Sequence, residues 1–422
     1  MNRTRAARPG PSRAIAPLAA VVSASIAVAT PAAADTVSVA GFGGGDTVVL
    51  NGLIDEAMAE EIAAAGIEVE YTPIDGDFSQ FLLNALSAGT APDLYYVDIF
   101  WSDAVFGTGR ADPVRDQSVA GELLPGLAEA FTRDGTLMGI PKDFNSLVLN
   151  YNVDVFEDAG VEPPDADDTW SDFEDKLAAV ADELGDIAGI CLVPDYARFG
   201  PFALATGWQP FDADGRTVLD EDFRRAFAFY TGLADSGAGT VAADLGEGWM
   251  GGCMSSEKAA VALEGAWMIA HLRDAAPSMV WDATRMPIDP ETGHRGNLIF
   301  TVAWVVNPES QVRDSAHALA EILTSEPAQQ WVLEEGLAIP SRAALDDNPW
   351  LDGGDVAQVA SRHAFEGTRD EAVTPYYFGE YGGAWMEPIN SALNAVLLDE
   401  LDVEAALEEA QEKLDRLTGH DG

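Results

Sequence analysis

The stretch GIPKDFNSLVLNYN, residues 139–152, constrains the fold of this chain most. Pro141 lacks an N–H and fixes its own φ, so it suits the entrance or edge of a strand and not a sheet interior. Lys142, Asp143 and Asn145 follow, and then the apolar run Leu147-Val148-Leu149. A short apolar run bounded by polar residues reads as a buried strand. Donors and acceptors at the mouth of such a strand stand at the edge of a core, where ligands are held. A surface loop feeding a core strand is the plainer account of the same residues.

The rest of the chain alternates strands with helices. Thr36 to Ala40 alternates like a strand, and GFGGGD, residues 41–46, is a glycine-rich turn. Leu50, Ile54, Met58 and Ile62 recur every fourth residue and predict one amphipathic helix ending near Gly66. Ile67 to Thr72 alternates apolar residues with Glu, as a half-exposed strand does. Strand, helix, strand is the opening of an α/β fold. The glycine turn is a poor dinucleotide fingerprint, because Asp46 stands where a small residue is needed and an acid there repels pyrophosphate. It reads either as backbone closely approaching a neutral ligand, with Phe42 and Gly44 in contact, or as a plain tight turn.

Asp77 is placed to cap a helix over 78–88, with Gly89 as its stop. A strand then ends at Asp98, and a short helix starts near Trp101. Ligands of open α/β sheets bind beyond the carboxyl ends of strands, although Asp98 could equally serve as a cap. Thr169 and Asp172 fit a capping box for a helix over 170–184. Gly189 to Val193 reads as a strand, and Phe223, Phe227, Tyr230 and Leu233 as one helical face. Ala260 to Leu272 reads as strand, turn at Glu264-Gly265, then helix. Leu298 to Val306 is apolar and β-branched, and helices over about 312–323 and 328–335 come next. Val403, Leu407, Ala410, Leu414 and Leu417 stripe the last helix.

Residues 139–184 resemble a segment of the extracellular solute-binding proteins of ABC importers, the family that includes maltose-binding proteins. Residues 92–114, 260–272, 298–306 and GLAIPSR at 336–342 resemble further segments of that family, in the same order. The resemblance implies an α/β periplasmic-binding-protein fold: two lobes, a hinge of crossover strands and a ligand cleft between the lobes. It implies a first lobe of 36–146 plus 300–337 and a second of 147–299 plus 338–422, with Leu147 to Tyr151 a hinge strand. It implies a sugar touched by Asp98 and the nearby Trp101, by Asp143 and Asn145, and by Trp267 at the start of a helix. It further implies closure on the ligand, delivery to the permease subunits of an importer, no cofactor, and a monomer. Two features depart from the family pattern. Lys142 is charged, which suits pairing with an internal acid, and glycine replaces any side-chain ligand in the first loop.

Composition bounds the environment. Arg3, Arg5, Arg8 and Arg13, the apolar run 15–29 and Ala32-Ala33-Ala34 together read as a cleavable export signal over residues 1–34. A periplasmic location is the expectation. The chain carries 23 basic against 71 acidic residues, net −48; without those four arginines it has 19 basic residues and net −52. Such a field repels nucleic acid and anionic membrane surfaces. It does not mean disorder, since 47% of residues are hydrophobic, so the acids coat a folded surface. A protein adapted to high salt, where self-repulsion is screened, fits this charge. Cys191 and Cys253 are the two cysteines; in an oxidising compartment they are either bridged or two buried thiols.

Reactive motifs are missing: there is no H-E-x-x-H, G-x-S-x-G or P-loop, and the five histidines show no ligand spacing. The expectation is a binding protein with neither metal nor catalytic residues. Trp101, Trp208, Trp249, Trp267, Trp304 and Trp385 fall mostly near expected turns or element ends. Sugars offer flat C–H faces to such rings and hydroxyls to Asp and Asn, and a large ring gives contact area at small entropic cost. The candidate ligand contacts are Phe42, Gly44, Asp98, Trp101, Asp143, Asn145, Trp208, Trp267, Phe300, Trp304 and Trp385. A secreted carbohydrate-active hydrolase and a polyamine- or cation-binding protein of the same fold are the alternatives.

Overall fold

The computed structural model describes residues 34–420 other than 125, 337 and 346, together with residues 1 and 10. The expected export signal therefore lies outside the described residues, apart from 1, 10 and 34. In chain order the strands are β1 Asp35–Phe42, β2 Ile67–Ile74, β3 Leu94–Asp98, β4 Thr132–Arg133 and β5 Thr136–Leu137. Then come β6 Ile140–Asn145, β7 Val148–Asn152, β8 Ala188–Leu192 and β9 Gly239–Val241. The last are β10 Ala259–Glu264, β11 Trp281–Thr284, β12 Gly296–Val306 and β13 Ala372–Pro375.

Two large sheets take eleven of these strands, and β4 and β5 pair only with each other. One has the order β13-β12-β3-β1-β2 with β6 also on β12; the other has the order β11-β7-β10-β8-β9. β1 is parallel to β2 and β3, whereas β12 runs antiparallel to β3 and β6. The chain passes from one sheet to the other between Asn145 and Val148, through Ser146 and Leu147. β12 is shared along its length: its first residues pair with β13, and 300–306 pair with β6 and β3. A third segment returns alongside, where Phe144 and Ile339 exchange backbone hydrogen bonds of 2.9 and 3.0 Å. Each sheet is covered by helices, and the architecture is two α/β lobes joined by crossing strands.

Local signals place many boundaries. The Asp77 side chain caps Phe78–Ala88, and Gly89 ends it in the left-handed conformation. Thr169 and Asp172 make a complete capping box for Trp170–Leu184. Two expectations are corrected. The expected single helix through Ile62 is instead the α-helix Gly45–Gly52, a π-turn Leu53–Ala57 and the α-helix Ala59–Ala64. A strict four-residue spacing outruns a 3.6-residue turn, so a plain α-helix would rotate Ile62 off the core. The wider turn, closed by Met58 N–H to Leu53 O at 2.8 Å, keeps Leu50, Ile54, Met58 and Ile62 all buried. The polar residues 142–145 are not a lead-in to a strand; they are themselves strand β6, because β12 supplies a ladder for them.

Candidate ligand-binding site

Beyond the carboxyl ends of β1 and β3 lies a cavity of about 420 Å³, the place where open α/β sheets hold ligands. After Phe42 the chain turns through Gly43 and Gly44 into the helix Gly45–Gly52. Gly44 has φ +64°, and a Cβ on Gly43 would fall 2.0 Å from the Asp75 carboxylate. Left-handed backbone at one position and close approach at the next both call for glycine. The turn brings Phe42, Gly44 and Asp46 to the cavity wall.

Strand register supplies the next groups. Val302 pairs with Asp98 on one side and with Asp143 on the other. Paired residues share a face of the sheet, so both carboxylates flank Val302, roughly 10 Å apart at Cα across two strand spacings. Asp98 also caps the turn Ile99–Trp101, accepting the Phe100 N–H at 3.2 Å. Lys142 and Asp143 are chain neighbours and would ordinarily point to opposite faces. In β6, however, Asp143 pairs with Val302 and Pro141 with Ala303, which leaves Lys142 out of the ladder as an extra residue. A bulge re-aims a side chain. Lys142 accordingly lines the cavity beside Asp143 and forms an ion pair with it. Its ammonium also lies 4.9 Å from the centre of the Tyr96 ring.

The facing wall comes from the other sheet's helices. Trp267 begins the helix Trp267–Ala275, and its indole N–H donates to Glu264 at 3.0 Å. Glu264 is fully buried and ion-paired with Arg198, so the ring is held from behind. Trp267 meets Phe300 of β12 edge-on, with centroids 5.8 Å apart. Trp249, just before the helix Met250–Ser255, packs on His271 at 4.7 Å, and both line the cavity. Missing side chains make room: a Cβ on Gly265 would sit 2.5 Å from the Trp267 ring, and one on Gly251 2.3 Å from Trp249. Asn145 also lies on the cavity, but its Oδ1 accepts the Ala266 N–H at 3.0 Å. It thereby ties the end of β6 to the start of the Trp267 helix.

Burial pushes the Asp46 carboxyl up to about 6 and that of Asp98 up to about 7. Asp143 is also raised by burial, against the pull of Lys142. Burial works against the charge of Lys142, but Asp143, Asp46 and Asp98 outweigh it and its pKa is raised. His271 is lowered by burial, and its Nε2 lies 3.0 Å from Ser255 Oγ. An imidazole with a lowered pKa is neutral at pH 7.

Of the residues expected from the sequence, Phe42, Gly44, Asp98, Asp143, Asn145, Trp267 and Phe300 line this cavity. Trp101, Trp208, Trp304 and Trp385 do not, which corrects the expectation for these four. Trp101 is 6% exposed and packs on Phe78. Trp208 is 3% exposed and donates its N–H to Val218 O at 2.7 Å. Trp304 packs on Tyr96 at 4.3 Å, and Trp385 stacks on Phe378 at 4.2 Å with its N–H bound to Thr217. Neighbours brought in by the fold cover their faces and satisfy the polar edges of Trp208 and Trp385. Asp46 and His271 were missed, and Trp249 was singled out among the tryptophans but not placed among the contacts. His271 is four residues after Trp267 on one helix, hence on the same face, and that spacing was visible in the sequence. Among the described residues no group of three or more His, Cys, Asp or Glu is arranged to hold a metal ion, and no helix is long and apolar enough to cross a membrane.

Two α/β lobes, crossing strands and a cavity between charged and aromatic walls define a two-lobed ligand-binding protein. The model of the bacterial extracellular solute-binding protein family matches residues 56–357, and the chain belongs to that family. An arabinooligosaccharide-binding protein of Halalkalibacterium halodurans is 25% identical over 154 residues, 36% of this chain and 34% of that protein. A mannitol-binding protein of Pseudomonas aeruginosa is 24% identical over 257 residues, 56% and 57% of the two chains. This chain thus spans between about a third and somewhat over half of the length of these curated relatives. An ABC substrate-binding protein from Listeria monocytogenes, solved in complex with cycloalternan, has the same fold, with TM-score 0.80 and 20% identity. That match covers 91% of this chain and 99% of the other.

Proposed function

We propose that this chain is the substrate-binding component of an ABC importer. It takes up a sugar or oligosaccharide between its lobes and delivers it, unaltered, to a membrane permease. The observation that carries this is the cavity of about 420 Å³, lined by the Trp267 and Phe300 rings and by the carboxylates of Asp98 and Asp143. Rings suit the C–H faces of a pyranose, and carboxylates accept its hydroxyls. The volume suits a small saccharide. The relatives named for arabinooligosaccharide and mannitol binding support the same class of ligand. The lobes in this reading are 36–146 plus 300–337 and 147–299 plus 338–422, and the ligand closes one on the other by hinge bending at the crossing strands. The protein acts as a monomer in the periplasm, after removal of its first 34 residues. Thermal shift and product analysis with a panel of monosaccharides, polyols and oligosaccharides test this. A shift without product is expected; steady hydrolysis, or no response to any sugar or polyol, overturns it.

A further inference from the structure

The charges lining the cavity do not balance. Asp46, Asp98 and Asp143 lie on its wall, and Lys142 is the one lysine or arginine there among the described residues. That ammonium is committed to Asp143 by the bulge in β6. Asp46 and Asp98 share the field of that same ammonium, which leaves three carboxyls to one cation. Asp46 Oδ2 is enclosed, with the hydroxyl of Tyr96 beside it and no cationic donor on it. The amino end of the helix Gly45–Gly52 adds partial positive charge next to Asp46, about half a unit at most, which leaves the wall negative. The rings of Phe42, Trp267 and Phe300 complete the enclosure, and aromatic faces also attract cations.

We infer that the cavity prefers a sugar bearing a protonated amine over its neutral counterpart, with the ammonium set between Asp46 and Asp98. This rests on the sugar-binding reading above. An ammonium supplies the missing charge and hydrogen-bond donors to both carboxylates. Binding then favours their ionised forms and expels the protons that burial retains. The groups facing these carboxylates are Lys142, Asp143, Tyr96 and Tyr71, with Tyr376 near Asp98 and His271 also on the wall. Asp46 titrates near 6 and Asp98 near 7. Affinity for the amine should therefore rise as pH increases from 5 to about 7, and fall above about 8, where the sugar amine, with a pKa near the α-amino value of about 7.7–8.0, loses its own proton.

Titration calorimetry on the full chain uses matched pairs: glucosamine with glucose, the glucosamine β-1,4-dimer with cellobiose, and trehalosamine with trehalose. The amine should bind roughly tenfold or more tightly than its neutral partner in at least one pair at pH 7, where the amine is still protonated. The preference should shrink at pH 5. In Asp98→Asn and Asp46→Asn the ratio of the two Kd values should fall toward one. Neutral members binding as well as or better than the amines at pH 7 would overturn this inference and leave the sugar reading standing. Binding of spermidine with no sugar bound overturns both, and no binding within any pair overturns this inference alone. A preference that grows from pH 7 toward pH 5 also overturns the inference, and it does so on the native protein even if a variant fails to fold.

Discussion

The two walls of the cavity are built from opposite materials. The wall on the β1–β3–β6 side carries Asp46, Asp98, Lys142 and Asp143, placed by strand ends and one bulge. The facing wall carries Trp249, Trp267 and His271 on two helices. Charged groups held on a hydrogen-bonded ladder fix polar geometry but carry a desolvation cost, visible in the raised carboxyl pKa values of Asp46 and Asp98. Indoles held over glycines supply area at little such cost. A ligand that touches both walls spans the crossing strands, so the difference amounts to a division of labour.

That division can be broken from the aromatic side first. Cys191 in β8 and Cys253 in the helix that follows Trp249 are joined, closing a loop with sequence separation 62. Replacing both by Ala should lower unfolding free energy by about 4 kcal/mol in the chain-entropy model. Urea denaturation measures this, and mass spectrometry with and without reductant tests the bridge directly. A loss below about 1 kcal/mol would mean that the bridge does not support this wall.

Trp267→Ala comes next. The indole is half-buried against Phe300 and held by Glu264, so its loss should weaken sugar binding by about 2 kcal/mol, roughly thirtyfold, with the fold retained. Calorimetry together with circular dichroism checks both halves of the claim. Wild-type affinity in a folded variant would remove Trp267 from the site.

The charged wall should respond through pH. Asp98 titrates near 7 when folded, above its unfolded value of 3.8, so the folded state holds the extra proton between these values. Its contribution to stability is therefore lost as pH rises through that window. Asp98→Asn removes the loss. It should stabilise by roughly 1 to 2 kcal/mol at pH 8 once solvent screening at the cavity is allowed for, and by about nothing below pH 4. Urea midpoints at the two pH values decide it, and a gain of equal size at both would show that ionisation is not the cause. The smallest effect separates cavity acids from surface acids. With net −48, the thermal midpoint should rise by a few degrees between low and molar NaCl as exposed acids are screened. The Asp98→Asn gain should persist in high salt, because an enclosed carboxylate is screened less.

Much of the secondary structure was determined by neighbours in the sequence. Asp77, Gly89 and the Thr169–Asp172 pair act within one helical turn, so their effect on backbone donors and acceptors is the same wherever the helix packs. The placing of Asp98 at the end of a strand, and of Trp267 at the start of a helix, was legible for the same reason. The tertiary structure alone decided the rest. Asp98 and Asp143 share a face because Val302, more than 150 residues along the chain from either, pairs with both. Lys142 joins them because that same strand forces a bulge, and register is a long-range pairing that no local pattern encodes. Trp208, Trp304 and Trp385 look in sequence like Trp267, and they are core because rings and acceptors from distant elements close over them. A tryptophan's sequence neighbours set which element carries it, whereas its exposure depends on what the fold brings against its face.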